Sequence, residues 1–302
     1  MAKTLIIIAG PTAIGKTAIS IRLAQHFKTE IISADSRQFY REMSIGTAKP
    51  NQHELSAAKH HFIDSHSVID TFTAGNFEKE VLKLLDILFQ QHDLVIMAGG
   101  SGLFINAVCN GFDDLPVARD EIRQQLNKEL EEKGIEYLQN KLKIADPVYF
   151  AEVDINNPQR LIRALEVYQT TGKSFSSYRS KSRKTRPFNI ITIGLNTDRE
   201  NLYQKINSRV DQMLEAGLVE EVKSLSKYRH LNALQTVGYS EIFDYLDGKC
   251  GLDIAIEKIK QNTRRFAKRQ ITWFKKSEQI KWFDPSDYEG ILNFLNQFPD
   301  EP

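Results

Sequence analysis

Leu5, Ile6, Ile7, Ile8 and Ala9 form an unbroken apolar run closed by Gly10 and Pro11, the pattern of a short strand buried on both faces. Directly after the glycine-rich segment that follows, Ile19, Leu23 and Phe27 recur at helical spacing, which predicts a helix over residues 18–27. Apolar runs at 30–34 and 94–98 predict two more strands, the first ending at Asp35 and the second at Gly99 and Gly100. Between them Val81, Leu84, Leu85 and Leu88 make one stripe of a helix over 77–89. Strands alternating with helices predict an α/β fold with a parallel sheet and helices on both faces.

From 113 to 184 the pattern changes to polar, densely charged helices without a strand. Helices are expected over 121–133, 134–142 and 158–170, the last stopped at Gly172. This stretch reads as a helical insertion domain, with the catalytic core formed by 1–112 and 185–302. The strand pattern resumes at 188–195. Long amphipathic helices are expected over 202–225 and 254–274, and a short last one over 287–298.

Gly10, Pro11, Thr12, Ala13, Ile14, Gly15, Lys16 and Thr17 match the phosphate-loop pattern of Gly, four residues, then Gly-Lys-Ser/Thr, in its required place between strand and helix. Backbone N–H groups and the helix N-terminus suit phosphate oxygens, Lys16 neutralises the outer phosphate, and the Thr17 hydroxyl can hold Mg²⁺. A glycine turn with a chance lysine is the bland alternative, and the context argues against it.

An ATPase or kinase commonly places an acidic residue at the end of a neighbouring strand to hold Mg²⁺. Here the strand at 94–98 ends in Gly99, Gly100, Ser101 and Gly102, without a carboxylate. Those glycines fit either close approach of a substrate to the backbone or a tight turn. Asp35 ends the second strand, where open α/β sheets place their ligands. It could accept a proton, bind substrate hydroxyls or coordinate Mg²⁺; the other reading is a turn or helix cap.

Composition changes this picture little. The 302 residues are 41% hydrophobic and 26% charged, with a net charge of +1, an ordinary globular balance. The two cysteines, Cys109 and Cys250, support neither a disulfide framework nor a zinc site, and they, like the phenylalanines, read as core. No run approaches the roughly 18 apolar residues of a membrane span, and the first residues do not read as a signal peptide. A cytoplasmic monomer without membrane attachment is the expectation.

Charge distribution says more. Lys258, Lys260, Arg264, Arg265, Lys268, Arg269, Lys275 and Lys276 share one helix with no acidic residue among them, while Ile259, Thr263, Phe266, Gln270 and Trp273 mark its opposite stripe. Such a helix either lies along a nucleic-acid backbone, with Arg265 and Arg269 foremost, or is a solvated face. A second stretch holds Arg160, Arg163, Lys173, Arg179, Lys181, Arg183, Lys184 and Arg186 against Glu166 alone. His60 and His61 are adjacent, a poor arrangement for one metal ion, and read as structural or near the substrate.

Taken in order, Gly10-Pro-Thr-Ala-Ile-Gly-Lys-Thr17, Asp35-Ser-Arg-Gln-Phe-Tyr40, Ile45-Gly-Thr-Ala-Lys-Pro50, His60-His-Phe-Ile-Asp64, Gly99-Gly-Ser-Gly-Leu-Phe104, Gln159-Arg-Leu-Ile-Arg163 and Arg264-Arg-Phe-Ala-Lys-Arg-Gln-Ile-Thr-Trp-Phe274 resemble the tRNA dimethylallyltransferase family, also called tRNA isopentenyltransferases. The resemblance implies transfer of a dimethylallyl group from dimethylallyl diphosphate to N6 of the adenosine 3′ to the anticodon, with that base unstacked from the anticodon stem-loop. It implies that the phosphate loop holds the diphosphate, with Lys16, Thr17 and Mg²⁺ stabilising the leaving group. Asp35 would then be the general base, with Ser36, Arg37, Gln38 and Ser101 beside the same nucleotide. Gln159, Arg160, Leu161, Ile162, Arg163 and Arg123 would contact tRNA. Arg209 is a candidate diphosphate contact, with a surface arginine as the alternative.

The sequence departs from the family's usual residues at Ser101 for Thr, Phe104 for Tyr and Asn76 for Asp. Competing readings are a P-loop small-molecule kinase that binds ATP, a non-catalytic RNA-binding module, and an enzyme prenylating free adenine nucleotides. The long cationic insertion argues against a small acceptor.

Overall fold

A computed structural model describes residues 3–113, 115–116, 119–179 and 184–297. Lys181 and Arg183, named above, lie outside them, as does position 298 at the end of the expected last helix. The chain divides into two compact units, residues 1–109 with 186–302, and residues 110–185.

The first unit opens with β1 (Thr4–Ala9), α1 (Lys16–Phe27), β2 (Ile31–Ser33), α2 (Gln52–Ala57), β3 (His60–His61), α3 (Ala74–Leu88), β4 (Leu94–Gly99) and α4 (Gly102–Asn110). The second unit contributes α5 (Asp120–Ala145), α6 (Pro147–Glu152) and α7 (Pro158–Thr171). The first then resumes with β5 (Asn189–Leu195), α8 (Arg199–Glu215), α9 (Leu218–Ser224), α10 (Tyr239–Leu246), α11 (Leu252–Phe274), β6 (Ile280–Phe283) and α12 (Tyr288–Leu295).

All six strands are parallel, in the order β3-β2-β4-β1-β5-β6. β1 is central, paired Thr4 to Leu94 through Ala9 to Gly99 on one side and Thr4 to Asn189 through Ala9 to Gly194 on the other. Ile6 and Ile8 join a core with side chains of α1, α8 and α12. Leu5 and Ile7 point to the opposite face and are equally enclosed, so both faces of the sheet are covered. Each such side chain contributes about 2 kcal/mol by leaving water.

In the second unit Leu126, Leu138, Leu142, Leu161, Ile162, Ala164 and Leu165 form a separate core. α5 is broken at Gly134 (φ 76°, ψ 174°), where the sequence predicts one helix to end and the next to begin. α7 stops at Gly172 in the left-handed conformation.

Two expectations change. The helix over 202–225 is two helices, because Gly217 at φ 98° ends one and begins the other. The packed stripe of α11 is Ala255, Ile259, Ala267, Gln270 and Phe274, while Phe266 and Trp273 are about 40% exposed. The short elements α2, β3, α4, α6, α10 and β6 are not among those the sequence pattern predicts.

Candidate functional site

Parallel strands in register end at one edge, so the loops after β1, β2 and β4 meet there. The β1 loop is held from below by Ile14, which is enclosed in the core. Gly10 is required because a Cβ there would lie 2.7 Å from the Leu195 carbonyl oxygen. Gly15, at φ 105°, turns the loop into α1, whose first residue is Lys16.

Lys16 Nζ donates to the carbonyls of Gly10 (3.0 Å) and Pro11 (2.7 Å). Withdrawal from water lowers its pKa to about 7; the charge of Asp35 opposes this and that of Arg209 adds to it. Arg209, on α8, brings Nη1 to 3.4 Å from Thr12 Oγ1. Burial lowers its pKa as well. It is a half-buried cation at the phosphate loop, not a surface arginine.

Asp35 follows β2 and faces the same space. Its Oδ1 accepts the Arg37 N–H (2.9 Å), and the Ser36 N–H is donated to Ser101 Oγ (2.9 Å). The β4 loop therefore holds the β2 loop, and Ser101 is placed to position Asp35. Arg37 is turned inward, donating to the carbonyls of Ser36 and Asn232. Gln38 donates to the Thr47 and Ala48 carbonyls and accepts from Ser33 Oγ, bracing the neighbouring loop.

The glycines after β4 are explained by packing of protein on protein. A Cβ at Gly99 would lie 2.1 Å from the Ala34 carbonyl oxygen, one at Gly100 2.3 Å from Gln270, and one at Gly102 2.2 Å from Trp273. None of the three has the positive φ of a glycine turn, so the tight-turn reading does not hold; what they admit here is protein.

Thr12, Lys16, Thr17, Asp35, Gln38 and Arg209 line one cavity of about 830 Å³. Ile45, Ala48, Pro50, Leu55, Met213 and Phe266 add an apolar patch to a lining that also holds Lys49, Asn51, Glu54 and Gln212; the patch suits a hydrocarbon group. Glu221 braces part of that lining from α9: its carboxylate accepts the N–H groups of Ser44 (2.9 Å), Ile45 (2.7 Å) and Gly46 (3.0 Å) and the hydroxyl of the buried Tyr239 (2.6 Å). Lys49 ties the same loop to the Tyr40 carbonyl and to Asp64. Sequence reasoning missed Gln270 as a site residue, Glu221 and Lys49; a glutamate far from the loop in the chain carries no local signal.

His61 bonds Glu30 at 2.5 Å and is structural, whereas His60 lines the cavity with its pKa lowered by burial. Phe104 packs against Phe39 and Phe77 in an aromatic cluster, where a hydroxyl is not needed. Asn76 completes a capping box with Thr73 at the start of α3, a role that asks for no charge. Cys109 and Cys250 are half-buried, not core, and burial pushes the Cys109 thiol up to about 12.

The basic stretches are partly consumed inside the protein. Lys260 pairs with Asp211 (2.8 Å), and Arg264 donates to Asn207 (2.7 Å). Lys258, Arg265, Lys268, Arg269, Lys275 and Lys276 are exposed. In the second unit Gln159 and Arg160 are exposed, but Leu161 and Ile162 are enclosed in its core and offer no side-chain surface to RNA. Arg123 and Arg163 both bind Glu166, whose side chain has no exposure; they satisfy a buried carboxylate there. Arg186 pairs with Glu78 (2.7 Å) in the first unit.

Among the described residues no helix is long and apolar enough to cross a membrane. No group of three or more His, Cys, Asp or Glu side chains among them is placed to hold a metal ion.

A family model described as IPP transferase matches residues 38–277, a stretch that begins beyond the phosphate loop and Asp35. The chain is 55% identical to a tRNA dimethylallyltransferase of Christiangramia forsetii over 98% of each chain. It is 48% identical to tRNA dimethylallyltransferase 1 of Bacteroides fragilis over 97% of this chain and 98% of that one. Among solved structures it is similar to a full-length tRNA isopentenylpyrophosphate transferase of Bacillus halodurans (38% identity, TM-score 0.72, 98% and 96% covered). It is also similar to a eukaryotic dimethylallyltransferase acting on tRNA (26% identity, TM-score 0.82, 100% and 81% covered).

Proposed function

The chain belongs to the tRNA dimethylallyltransferase family, also named IPP transferases, and we propose that it transfers the dimethylallyl group of dimethylallyl diphosphate to N6 of the adenosine 3′ to the anticodon of tRNA. The observation that carries this reading is the shared cavity: Lys16, Arg209 and Asp35 open into one space whose lining also includes an apolar patch. Lys16 and Arg209 suit a diphosphate, the apolar patch a five-carbon chain, and the carboxylate an acceptor amine.

In the transfer, the N6 electron pair forms a bond to C1 of the prenyl group as the C1–O bond breaks, and that bonding pair leaves with diphosphate. Asp35 takes the proton lost by N6. Lys16, Arg209 and the N-terminus of α1 face the charge growing on the leaving oxygen. An anion against Lys16 favours its ammonium form, so the group is charged when it is needed.

The donor set fits Mg²⁺. The Thr17 hydroxyl and the Asp35 carboxylate are hard oxygen donors on the cavity, and Mg²⁺ is usually held by few protein groups together with substrate phosphates. Thr17 would hold the ion, which supplies further neutralisation of the departing diphosphate.

tRNA would be held by exposed cations on α11, Arg265 and Arg269 among them, and by Gln159 and Arg160 of the second unit. Incubation with dimethylallyl diphosphate, Mg²⁺ and an unmodified tRNA transcript should add the mass of one prenyl group to the adenosine 3′ to the anticodon. ATP turnover on a small acceptor, with no prenylated tRNA, would overturn the reading in favour of a kinase.

A further inference from the structure

Gln270 is 7% exposed and lies in the last two turns of the cationic helix α11, with both ends of its amide bonded to distant backbone. Oε1 accepts the Thr12 N–H of the phosphate loop at 2.9 Å, and Nε2 donates to the Gly100 carbonyl at 2.9 Å. An amide is the side chain suited to this, because it offers one acceptor and a donor in a fixed plane. Gly100 has no Cβ, and one would fall 2.3 Å from Nε2, so the glycine is what admits the amide.

The bridge continues. Gly100 is followed by Ser101, whose Oγ accepts the Ser36 N–H at 2.9 Å, while the Ser101 N–H reaches the Ala34 carbonyl at 3.3 Å. Asp35 lies between Ala34 and Ser36. A hydrogen-bonded path thus runs from Thr12 through Gln270, Gly100, Ser101 and Ser36 to the segment carrying Asp35.

Resting on the reading of the site as a prenyl-transfer centre, we infer that Gln270 is a positioning residue for the reaction: it fixes the donor loop and the Asp35 loop at one separation. The reacting carbon hangs from the diphosphate on one loop, and the amine is oriented by the carboxylate on the other. Their approach is set by how those loops are joined, and misplacement of about 1 Å is enough to cost on the order of a hundredfold in rate. The bond to Thr12 N–H also fixes the direction of one loop amide, leaving the others to face phosphate. Gln270 does this from the element that presents Arg265 and Arg269 to solvent.

The test compares wild type with Gln270→Met, which keeps length and bulk without either hydrogen bond, with Ser101→Ala, and with the double variant. Affinity for inorganic diphosphate is measured first, since it needs no turnover. It is expected to weaken about five- to tenfold in Gln270→Met; unchanged affinity overturns the inference whatever the transfer assay shows. In single-turnover transfer, Gln270→Met is expected to be slowed at least about tenfold with KM for tRNA within about twofold. The double variant should lose less than the product of the single losses, because both changes cut one path. Multiplicative losses would make Gln270 a general structural residue and overturn the inference. Should Gln270→Met not fold, Gln270→Glu carries the test, as it keeps the acceptor for Thr12 and loses the donor to Gly100. The same slowing and non-additivity support the inference, and wild-type rates overturn it. Failure of the wild type to prenylate tRNA would count against the function itself, and the diphosphate measurement is independent of that.

Discussion

The hydroxyl of Tyr239 and the carboxylate of Glu221 lie 2.6 Å apart behind the loop at 44–46, which forms part of the cavity wall. Tyr239 is fully enclosed, and burial, with the carboxylate beside it, drives its pKa upward. Glu221 also takes three consecutive backbone N–H groups, those of Ser44, Ile45 and Gly46. Removing the acceptor would leave them without a partner, at a cost of about 2–3 kcal/mol. Glu221→Ala should therefore lower stability by that order in denaturant unfolding and raise KM for the donor several-fold, with Tyr239→Phe milder in both.

Asp35 should matter to chemistry far more than to binding. It lines the cavity, and among the described residues its carboxylate accepts a single hydrogen bond, from the Arg37 N–H. Asp35→Asn is expected to keep that bond and the tRNA Kd within about twofold, while turnover falls at least about a hundredfold. Parallel losses in turnover and tRNA affinity would reduce Asp35 to a binding residue.

The depressed pKa of Lys16, about 7 against 10.5 in water, has a definite sign. Below pH 7 the ammonium is present before and after an anion binds, and Lys16 adds no pH dependence. Above pH 7 the amine must take up a proton as diphosphate binds, so affinity should fall with rising pH, by up to about tenfold per unit. Calorimetry at pH 7.5–9 should show that slope and proton uptake in wild type, and Lys16→Met should show weaker binding with the slope reduced by about one proton. Stability runs the other way: between 7 and 10.5 the unfolded chain binds more protons at this residue, so stability gains from Lys16 as pH rises.

Arg209 stands at Thr12, so its substitution should be felt by the donor. Arg209→Ala is expected to raise KM for dimethylallyl diphosphate about tenfold or more and to leave the tRNA Kd unchanged. Arg209→Lys should recover only part of this, because a point charge does not reproduce the guanidinium fork. A shift confined to tRNA affinity would place Arg209 at the RNA.

Arg265 and Arg269 are exposed on α11, whereas Lys260 is engaged by Asp211 on α8. Replacing both arginines by Ala should lower the slope of log Kd for tRNA against log salt by about 1.5. Lys260→Ala should leave the slope unchanged. An equal slope in the arginine double variant would mean that neither arginine contacts phosphate.

Local pattern was enough for much of this molecule. The apolar run at 5–9, the phosphate-loop spacing, Asp35 at a strand end and the helix stops at Gly134 and Gly172 depend on neighbours within a few residues, and chain order supplied the parallel sheet. Tertiary packing decided what local pattern leaves undetermined: that the glycines after β4 exist to admit Ala34, Gln270 and Trp273; that Leu161 and Ile162 face a core; that Arg123 and Arg163 answer a buried Glu166; and that Gln270 and Glu221 brace loops 170 and more residues away in the chain. A side chain's period tells which face of an element it occupies, but not which distant backbone group that face will meet. Here that meeting ties the loop after β1, through Gln270 and Gly100, to the segment carrying Asp35.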